Sequence, residues 1–482
     1  MLSKSCAERR VLRFSFIIFH AFYFVTSWFR FCFVLVDAAT ISKYVDAKRV
    51  SYFWHITDFH LDLTYEPADG SCHYKYGEGG KSTYGDYGCD ASWALVESAL
   101  QFMKKKRGDN VEYVIWSGDS IANISTLKTI DALAKTTSLF KQFFSTFFVI
   151  PVVGHTDNPT SDPSMYKHIT ELWKLWLPSE ALETFASGGY YSIEQKNRPT
   201  IVVLNTNYMA SNKDPLNQWK WLEHVLREVR RKKSTVFLFG HMPPGFVEPG
   251  REFLPKCMMS DENNARYLRM IENNADIISA QFFGHLHADT FRVFYNDTGK
   301  PISFGFVTPS ISPREYNNPG FRLYKFDDST GKIYDYEQYY LDLRTANSKK
   351  YADWVREYEF CSYYKIKSVT ANELHDLAVS LTRANGSPLF EQYLDAYSVK
   401  STKQDCTSNT SWYHYCAITK LNKQSFHQCL TESKKNQLEC PQSHAIVIPQ
   451  PSRGLQSSSV DQLIINMQIL VAAFVFVFFS SQ

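Results

Sequence analysis

The sequence of 482 residues lacks a strong excess of charge of either sign. Its 52 basic and 49 acidic residues leave a formal net charge of +3, and no long basic run is present, so we expect no nucleic-acid partner. Internal repeats and low-complexity tracts are absent, which argues against a repeat protein or a compositionally disordered chain. No two cysteines have the Cys-x-x-Cys spacing of a zinc knuckle. A hydrophobic content of 44% permits a large buried core.

The first 38 residues have the order of a secretory signal peptide. Basic residues precede an apolar stretch at about 14–36, and the small residues Ala38 and Ala39 follow it. An uncleaved membrane anchor is the alternative, because the apolar stretch is long. We predict that residues 1–38 are a signal peptide and that the protein is exported.

The C-terminal residues 463–482 form an apolar tail that no basic stop-transfer cluster follows. This order, behind a polar stalk at 446–462, is typical of a GPI-attachment signal. A plain C-terminal membrane helix is the alternative, although the tail is slightly short for one. We expect a monomer that is secreted or held on the extracellular face of the plasma membrane, with the membrane surface as a partner through the lipid anchor.

Cysteines and glycosylation sequons agree with export. Eight cysteines remain after the predicted signal peptide, and an even number in an exported chain indicates disulfides, although the pairing stays open. The disulfide candidates are Cys72, Cys89, Cys406, Cys416, Cys429 and Cys440. The Asn-x-Ser/Thr pattern marks possible glycan acceptors at Asn123, Asn296, Asn385 and Asn409.

Five short apolar runs end directly in polar residues. "SYFWHI" precedes "TDFH", "VEYVIWS" precedes "GDS", "FFVIPVV" precedes "GHTD", "TVFLFG" precedes "HMPPG", and "ISAQFF" precedes "GHLH". Such runs are typical of buried strands, and helical patterns such as "SWALVESALQFMKKK" and "LNQWKWLEHVLREVRRKK" lie between them. Alternation of strands and helices predicts an α/β core over residues 48–345. The polar clusters would gather at the carboxyl ends of the strands, where open α/β sheets bind ligands.

The polar clusters carry metal-ligand chemistry. Asp58 and His60 are two positions apart and can point the same way in extended backbone. A glycine precedes Asp119, His241 and the His285/His287 pair. Carboxylate and imidazole ligands together suit zinc, manganese or iron, and Asp119 is the natural carboxylate to bridge two ions.

The pattern changes after about residue 343. The stretches at 348–360 ("SKKYADWVREYEF") and 370–383 ("TANELHDLAVSLTR") have helical patterns, and a group of four cysteines follows them. We predict a small helical, disulfide-bonded subdomain over residues 346–445.

The order Asp-x-His, Gly-Asp, a loop similar to Gly-Asn-His-Asp, Gly-His and Gly-His-x-His resembles the calcineurin-like metallophosphoesterases. "HITDFHLDLTYEP", "GDYGCDASWALVESAL" and "GHMPPG" look like the acid sphingomyelinase-like phosphodiesterases, and the predicted tail is similar to that of their membrane-anchored 3b branch. The resemblance covers roughly residues 48–445. It implies an α/β fold, a four-layer β-sandwich flanked by helices.

The resemblance also implies a two-zinc site and a reaction. Asp58, His60 and His287 would hold the first ion, Asp119 would bridge both, and His241 and His285 would hold the second. The implied activity is that of a phosphoric diester hydrolase, in which a metal-activated hydroxide cuts a phosphodiester or pyrophosphate bond of a small-molecule substrate.

The loop Gly154–Asp157 departs from the pattern of the family, which has Gly-Asn-His-Asp there. His155 occupies the place of the ligand Asn, and it could act as a zinc ligand or as a catalytic acid. Thr156 replaces a proton-donating His, and Asn123 stands where related enzymes carry another His; neither can donate a proton as imidazole does. We therefore expect a preference for good leaving groups, as in nucleotides. The alternative is a catalytically impaired surface protein with a binding or regulatory role.

The substrate is left open between nucleotide-like and phosphocholine-type phosphoesters. No stretch between the predicted signal and the first strand is long enough for a lipid-presenting domain, which favours soluble phosphoesters. Three aromatic residues, Tyr65, Trp93 and Tyr316, are candidates for stacking on a base or for binding choline.

Overall fold

The computed structural model describes most of the chain between the two predicted targeting segments. The described residues are 49–68, 72, 82–107, 110–123, 126–159, 162–210, 217–248, 257–382, 388–401 and 410–433. The predicted signal peptide, stalk and GPI tail lie outside these residues, as do Cys406, Cys440, Asn385 and Asn409. None of the helices within the described ranges combines the length and the apolar character that crossing a membrane requires.

The described residues form twelve strands and twelve α-helices. The strands are β1 (Val50–Ile56), β2 (Tyr113–Trp116), β3 (Val149–Pro151), β4 (Tyr191–Ile193), β5 (Thr200–Val203), β6 (Val236–Phe239), β7 (Ile278–Phe283), β8 (Thr290–Tyr295), β9 (Pro301–Val307), β10 (Gly320–Asp327), β11 (Ile333–Tyr340) and β12 (Val355–Glu359). The helices are α1 (Trp93–Arg107), α2 (Thr126–Phe144), α3 (Pro163–Trp173), α4 (Ser179–Gly188), α5 (Gln218–Arg231), α6 (Asp261–Asn274), α7 (Leu343–Lys349), α8 (Phe360–Tyr364), α9 (Ala371–Ser380), α10 (Pro388–Tyr397), α11 (Thr410–Thr419) and α12 (Lys423–Ser433).

The strands form two six-stranded sheets. The first has the order β12-β11-β10-β1-β2-β3, and the second has the order β4-β5-β6-β7-β9-β8. Strands β1, β2 and β3 are parallel to one another, as are β5, β6, β7 and β9. The carboxyl ends of parallel strands meet at one edge of a sheet, so the loops after β1, β2 and β3 meet at the first sheet and those after β6 and β7 at the second.

The two sheets pack face to face around aromatic side chains. The ring of Phe53 on β1 stacks on Tyr324 of the same sheet, with 4.9 Å between ring centroids. It also meets Phe282 on β7 of the second sheet edge to face, at 5.4 Å. Such aromatic pairs stabilise a core beyond the area that they bury. The predicted α/β sandwich flanked by helices is confirmed.

The five apolar runs that predicted buried strands are β1, β2, β3, β6 and β7, and the two helical patterns between them form α1 and α5. The helix predicted over residues 348–360 is wrong. Residues 355–359 of that stretch form β12, which pairs antiparallel with β11. Val355 and Arg356 are exposed whereas Tyr358 is buried, because β12 is the edge strand and only part of it faces the core.

Two disulfides join described cysteines, Cys72 to Cys89 and Cys416 to Cys429. The second links α11 to α12. Phe246, in the loop after β6, stacks on Phe426 of α12 with 4.0 Å between ring centroids. The disulfide-bonded helices therefore pack against a loop that follows one of the central strands.

Candidate metal centre

Hydrogen bonds between the strand-end loops bring the predicted ligands together. The backbone N–H groups of Asp58 and His60 donate to the carbonyls of Gly118 and Asp119, at 3.0 and 2.9 Å. The N–H of Gly284 donates to the carbonyl of His241 at 2.9 Å. The loops after β1 and β2 are thus tied to each other, as are those after β6 and β7.

Five of the predicted ligands have a left-handed backbone. Their φ angles are 52° at Asp58, 43° at His60, 51° at Asp119, 68° at His285 and 55° at His287. Such a conformation costs a non-glycine residue roughly 1–3 kcal/mol and is concentrated at functional sites. The fold holds these side chains in one place against their backbone preference.

Gly154 allows the loop after β3 to approach Asp119 closely. A Cβ atom at residue 154 would lie 2.1 Å from the backbone nitrogen of Asp119 and 2.2 Å from its Oδ1 atom. No side chain fits that space. The glycine at the start of "GHTD" is therefore required by the contact between two ligand-bearing loops.

The ligand atoms lie in two groups, and within each group they are no more than 4.8 Å apart. The first consists of Asp58, His60 and His287. The Nε2 atoms of its two histidines are 3.0 Å apart, and Asp58 Oδ1 lies 3.5 Å from that of His287 and 3.8 Å from that of His60.

The second group consists of Asp119, His155, His241 and His285. Asp119 Oδ2 lies 2.7 Å from His155 Nδ1 and 3.2 Å from His241 Nε2. His241 Nε2 is in turn 3.2 Å from His285 Nδ1. Asp119 Oδ2 is also 3.4 Å from His60 Nε2, which belongs to the first group. Asp119 is thus the carboxylate whose Oδ2 atom lies near histidines of both groups.

Further hydrogen bonds fix the orientation of these side chains. Asp157 accepts from the backbone N–H groups of Gly154, Asp119 and Ser120, at 2.8, 3.1 and 2.9 Å. His241 Nδ1 lies 2.8 Å from the carbonyl of Ser117, which leaves its Nε2 atom directed at Asp119. Such outer partners set the tautomer and the orientation of metal ligands.

The carboxylates and the imidazoles shift the pKa values of one another. Burial raises the pKa of Asp119, but His155 and His241 outweigh it and hold that pKa well below its usual range. Burial lowers the pKa of His60, but the nearby carboxylates of Asp58 and Asp119 raise it to about 9. Burial also lowers the pKa of His241, and the same two carboxylates raise it to about 10. The carboxylates stay ionised and attract positive charge into the site.

The residues present fit divalent cations. Asp58 Oδ1 and Asp119 Oδ2 are fully buried, yet neither accepts a hydrogen bond of acceptable geometry, although imidazole nitrogens surround both. Buried carboxylate oxygens of this kind are usually paired or bound to metal. Imidazole and carboxylate are ligands of zinc and of neighbouring transition metals.

The three residues that depart from the family pattern differ in exposure. His155 is 47% exposed at its side chain, the most open of the second group, whereas His241 is fully buried. Thr156 is buried, its hydroxyl has no hydrogen-bond partner, and its backbone N–H donates to Asp119 Oδ1 at 2.9 Å. Asn123 is exposed in the loop after β2.

Only two of the three candidate stacking aromatics are exposed. Trp93 is 40% and Tyr316 is 47% exposed. Tyr65 is buried, and its hydroxyl donates to the carbonyl of Ser82 at 2.9 Å, so its selection as a stacking residue is wrong.

Sequence reasoning did not find the buried Asp90 and its ion pair with Arg314, which lie beside the first group. Asp90 directly follows Cys89 in a stretch that resembles the family, but only the tertiary structure places it near the histidines.

Two families match the chain. The calcineurin-like phosphoesterases match residues 51–289, and the acid sphingomyelin phosphodiesterase C-terminal region matches residues 300–436. Cyclic GMP-AMP phosphodiesterase SMPDL3A from Bos taurus is 31% identical over 414 residues, which are 80% of this chain and 91% of that protein. Acid sphingomyelinase-like phosphodiesterase 3b from Mus musculus is also 31% identical, over 426 residues, with the same coverage of each chain. A solved dimetal phosphatase from Danio rerio covers 60% of this chain and 95% of its own with 12% identity and a TM-score of 0.40, too distant to add to the assignment.

The two sheets, the strand-end histidines and aspartates and the first of these matches define a calcineurin-like phosphoesterase. Sequence identity of 31% to these two relatives, over 80% of the chain, narrows the class to one family. The protein belongs to the acid sphingomyelinase-like phosphodiesterases and is a phosphoric diester hydrolase.

Proposed function

We propose that the protein is an exported, zinc-dependent phosphodiesterase that hydrolyses phosphodiester or pyrophosphate bonds of small nucleotide-like or phosphocholine-type substrates. The observation that carries the proposal is the convergence of two carboxylates and five imidazoles from five strand-end loops. A buried cluster of this composition has no structural purpose that simpler apolar side chains would not serve better.

Asp58, His60 and His287 would hold one zinc ion, and His155, His241 and His285 the other, with Asp119 between them. The bound ions would supply a water of lowered pKa and a positive charge that stabilises the transition state. The other tasks belong to the chain itself. Asp157 and the carbonyl of Ser117 keep Asp119 and His241 in position, and the close-packed loops exclude bulk water from the carboxylates.

His155 has two roles to reconcile. The 2.7 Å distance between its Nδ1 atom and Asp119 Oδ2 supports the ligand role in the second group. Its 47% exposure supports a second role at the mouth of the site, as the proton donor to the leaving group. We assign His155 to the second ion as its main role, because its Nδ1 atom already lies 2.7 Å from the carboxylate of Asp119.

The absence of a dedicated proton donor bears on the substrate. General acid catalysis contributes about 10²–10⁴-fold, and an alkoxide leaving group depends on it more than a nucleoside phosphate does. A pyrophosphate or another activated phosphoester is therefore the preferred substrate. Relatives named cyclic GMP-AMP phosphodiesterase support a nucleotide-like substrate.

A second candidate function is a surface binding or regulatory protein that keeps the fold and the ions with little turnover. The observation that favours it is the lack of imidazole at both Asn123 and Thr156, where Thr156 is also buried.

The proposal includes export, a GPI anchor at 463–482 and glycosylation. The disulfides Cys72–Cys89 and Cys416–Cys429 support an oxidising compartment. Among the predicted glycan acceptors, Asn123 is exposed and Asn296 is partly exposed, so both are accessible to modification.

The test is hydrolysis of bis-4-nitrophenyl phosphate and of a nucleoside triphosphate by the zinc-loaded full chain. Asp119→Asn removes the carboxylate charge between the two groups, and we expect it to abolish the activity. Asp131→Asn, at an exposed position of α2, is the matched control and should leave activity unchanged. Product release that Asp119→Asn does not reduce would come from a contaminant and would contradict the proposal. Metal retention without any turnover would instead favour the binding protein.

A further inference from the structure

A basic side chain lies next to the first ligand group, in the loop that joins β9 to β10. The Nη1 atom of Arg314 is 3.6 Å from Oδ2 of Asp90. The Asp90 side chain is 1% exposed, whereas that of Arg314 is 32% exposed. The pair therefore runs from a buried carboxylate outward to a cation at the surface.

The loop that carries Arg314 is bonded to the ligand residues on both sides. The N–H of Ser312 donates to the carbonyl of Asp58 at 3.0 Å, and the side-chain amide of Asn317 donates to the carbonyl of His287. Within the loop, the N–H of Arg314 donates to the hydroxyl of Ser312 at 3.3 Å. The loop that carries Arg314 is thus tied to the backbone of Asp58 and His287 on either side of that residue.

Hydrogen bonds also hold Asp90 close to the first ligand group and to the loop that carries Arg314. The N–H of Ala91, the next residue, donates to the carbonyl of His60 at 3.2 Å. The hydroxyl of Ser312 donates to Asp90 Oδ1 at 3.4 Å. Burial raises the pKa of Asp90, whereas the charges of His60, Arg314 and His287 oppose that shift. Asp90 therefore lies within electrostatic reach of His60, His287 and Arg314.

We propose that Arg314 is a specificity residue that binds the phosphate next to the scissile one, so that the site prefers substrates with two linked phosphates over single phosphodiesters. The inference rests on the proposed function, which places the scissile phosphate at the two ligand groups. The planar guanidinium has five donors in a fork, which can hold Asp90 on one edge and phosphate oxygens on another.

The position of Asp90 decides which phosphate Arg314 reaches. The Asp90 side chain is 1% exposed and that of Arg314 is 32% exposed, so the guanidinium lies on the solvent side of the carboxylate. A group bound there is displaced from the scissile phosphorus towards solvent, where the adjoining phosphate of a diphosphate would lie. Tyr316, two residues further along, is 47% exposed.

Equilibrium binding tests the inference without depending on turnover. The probes are α,β-methylene ADP, which has two linked phosphates and resists cleavage, and AMP, which has one. They are titrated by calorimetry into the zinc-loaded full chain and into its Arg314→Gln variant. We expect the variant to bind α,β-methylene ADP about tenfold more weakly, the loss of one charge-assisted contact, and AMP with less than about a threefold change. Arg314→Lys should recover part of the loss, because it keeps the charge but not the fork.

Arg356→Gln is the matched control. Arg356 is exposed and, like Arg314, ion-paired, with Glu337 at 3.8 Å, but it lies on the edge strand β12. It should bind both probes as the unmodified chain does. Equal weakening of both probes by Arg314→Gln, no change in either, or no binding of α,β-methylene ADP by the unmodified chain would overturn the inference.

The kinetic arm separates this inference from the proposed function. If the unmodified chain shows no hydrolysis but Arg314→Gln still selectively weakens α,β-methylene ADP, the proposed turnover fails and the specificity role stands. If ATP and bis-4-nitrophenyl phosphate are both hydrolysed and Arg314→Gln lowers kcat/KM for the two equally, the proposed function stands and the specificity role fails.

Discussion

Replacing Gly284 with alanine should remove metal from the site without altering any ligand. Gly284 precedes His285, and its conformation does not require glycine, since no positive φ is found there. Residue 284 must be glycine because the structure leaves no space for a Cβ atom there. A Cβ atom at residue 284 would lie 2.2 Å from Oγ1 of Thr57 and 2.5 Å from Oδ2 of Asp58, against the 3.4 Å at which ordinary contact begins.

The size of the disturbance follows from those distances. Asp58 or the 284–287 loop must move by about 1 Å, whereas metal–ligand distances tolerate only about 0.2 Å. The Asp58 carboxylate also accepts the N–H of His285 at 2.8 Å, so the same movement loosens a second ligand residue. Overpacking of this kind costs about 1–3 kcal/mol of folding free energy. A misplacement of about 1 Å in a catalytic site can lower activity by about 10²-fold.

The assay is zinc per chain after gel filtration, together with urea unfolding and hydrolysis of bis-4-nitrophenyl phosphate. We expect Gly284→Ala to retain at most one ion and to lose about 1–3 kcal/mol of stability. Gly299→Ala is the control, because its Cβ would meet nothing within 4 Å and only its φ of +79° is strained. It should lose some stability and keep both ions. A Gly284→Ala variant that holds two ions and full activity would refute the reasoning.

Three further predictions concern the second ligand group, the C-terminal helices and acid stability. His155→Ala should release the ion of the second group first, so that zinc analysis gives about one ion per chain, because one of three imidazoles is lost. Replacing Cys416 and Cys429 with alanine should lower the free energy of unfolding by about 3 kcal/mol, as expected for a loop of this length, and urea titration measures it. His414→Phe should flatten the loss of stability between pH 6.5 and 4. Burial lowers the pKa of His414 to about 4, so the unfolded chain binds the proton more tightly and stability is lost as pH falls from 6.5, by about 1.4 kcal/mol per pH unit.

Each of these has an outcome that would count against it. Two retained ions in His155→Ala would remove His155 from the ligand set, and the exposed His224→Ala serves as its control. Unchanged unfolding without the disulfide would mean that the stacking of Phe246 on Phe426 suffices to hold α12. An unaltered pH slope in His414→Phe would mean that the buried imidazole is not what resists acid.

The sequence was sufficient to predict the central strands and to select the aspartates and histidines that the structure brings together. Each apolar run is followed immediately by its ligand residues, as with Asp58 and His60 after β1, and carboxyl ends of parallel strands must share an edge. The local sequence pattern and this one topological rule are together enough to predict that these residues lie close to one another.

Where a residue's role depends on tertiary pairing, the sequence misleads. The stretch 348–360 has a helical spacing of apolar residues, but β11 presents an edge that β12 completes, and strand preference depends strongly on such context. Tyr65 is a candidate for stacking on a base or binding choline by its residue type alone, yet its hydroxyl donates to the carbonyl of Ser82 inside the fold. The Asp90–Arg314 pair joins residues more than two hundred positions apart, and no local pattern predicts such a contact.

Anomalous diffraction at the zinc edge, on crystals of the zinc-loaded chain, tests the central claim most directly. Two peaks are predicted on either side of the Asp119 carboxylate, one against Asp58, His60 and His287 and the other against His155, His241 and His285. A single peak, or peaks away from Asp119, would contradict the paired-ion site.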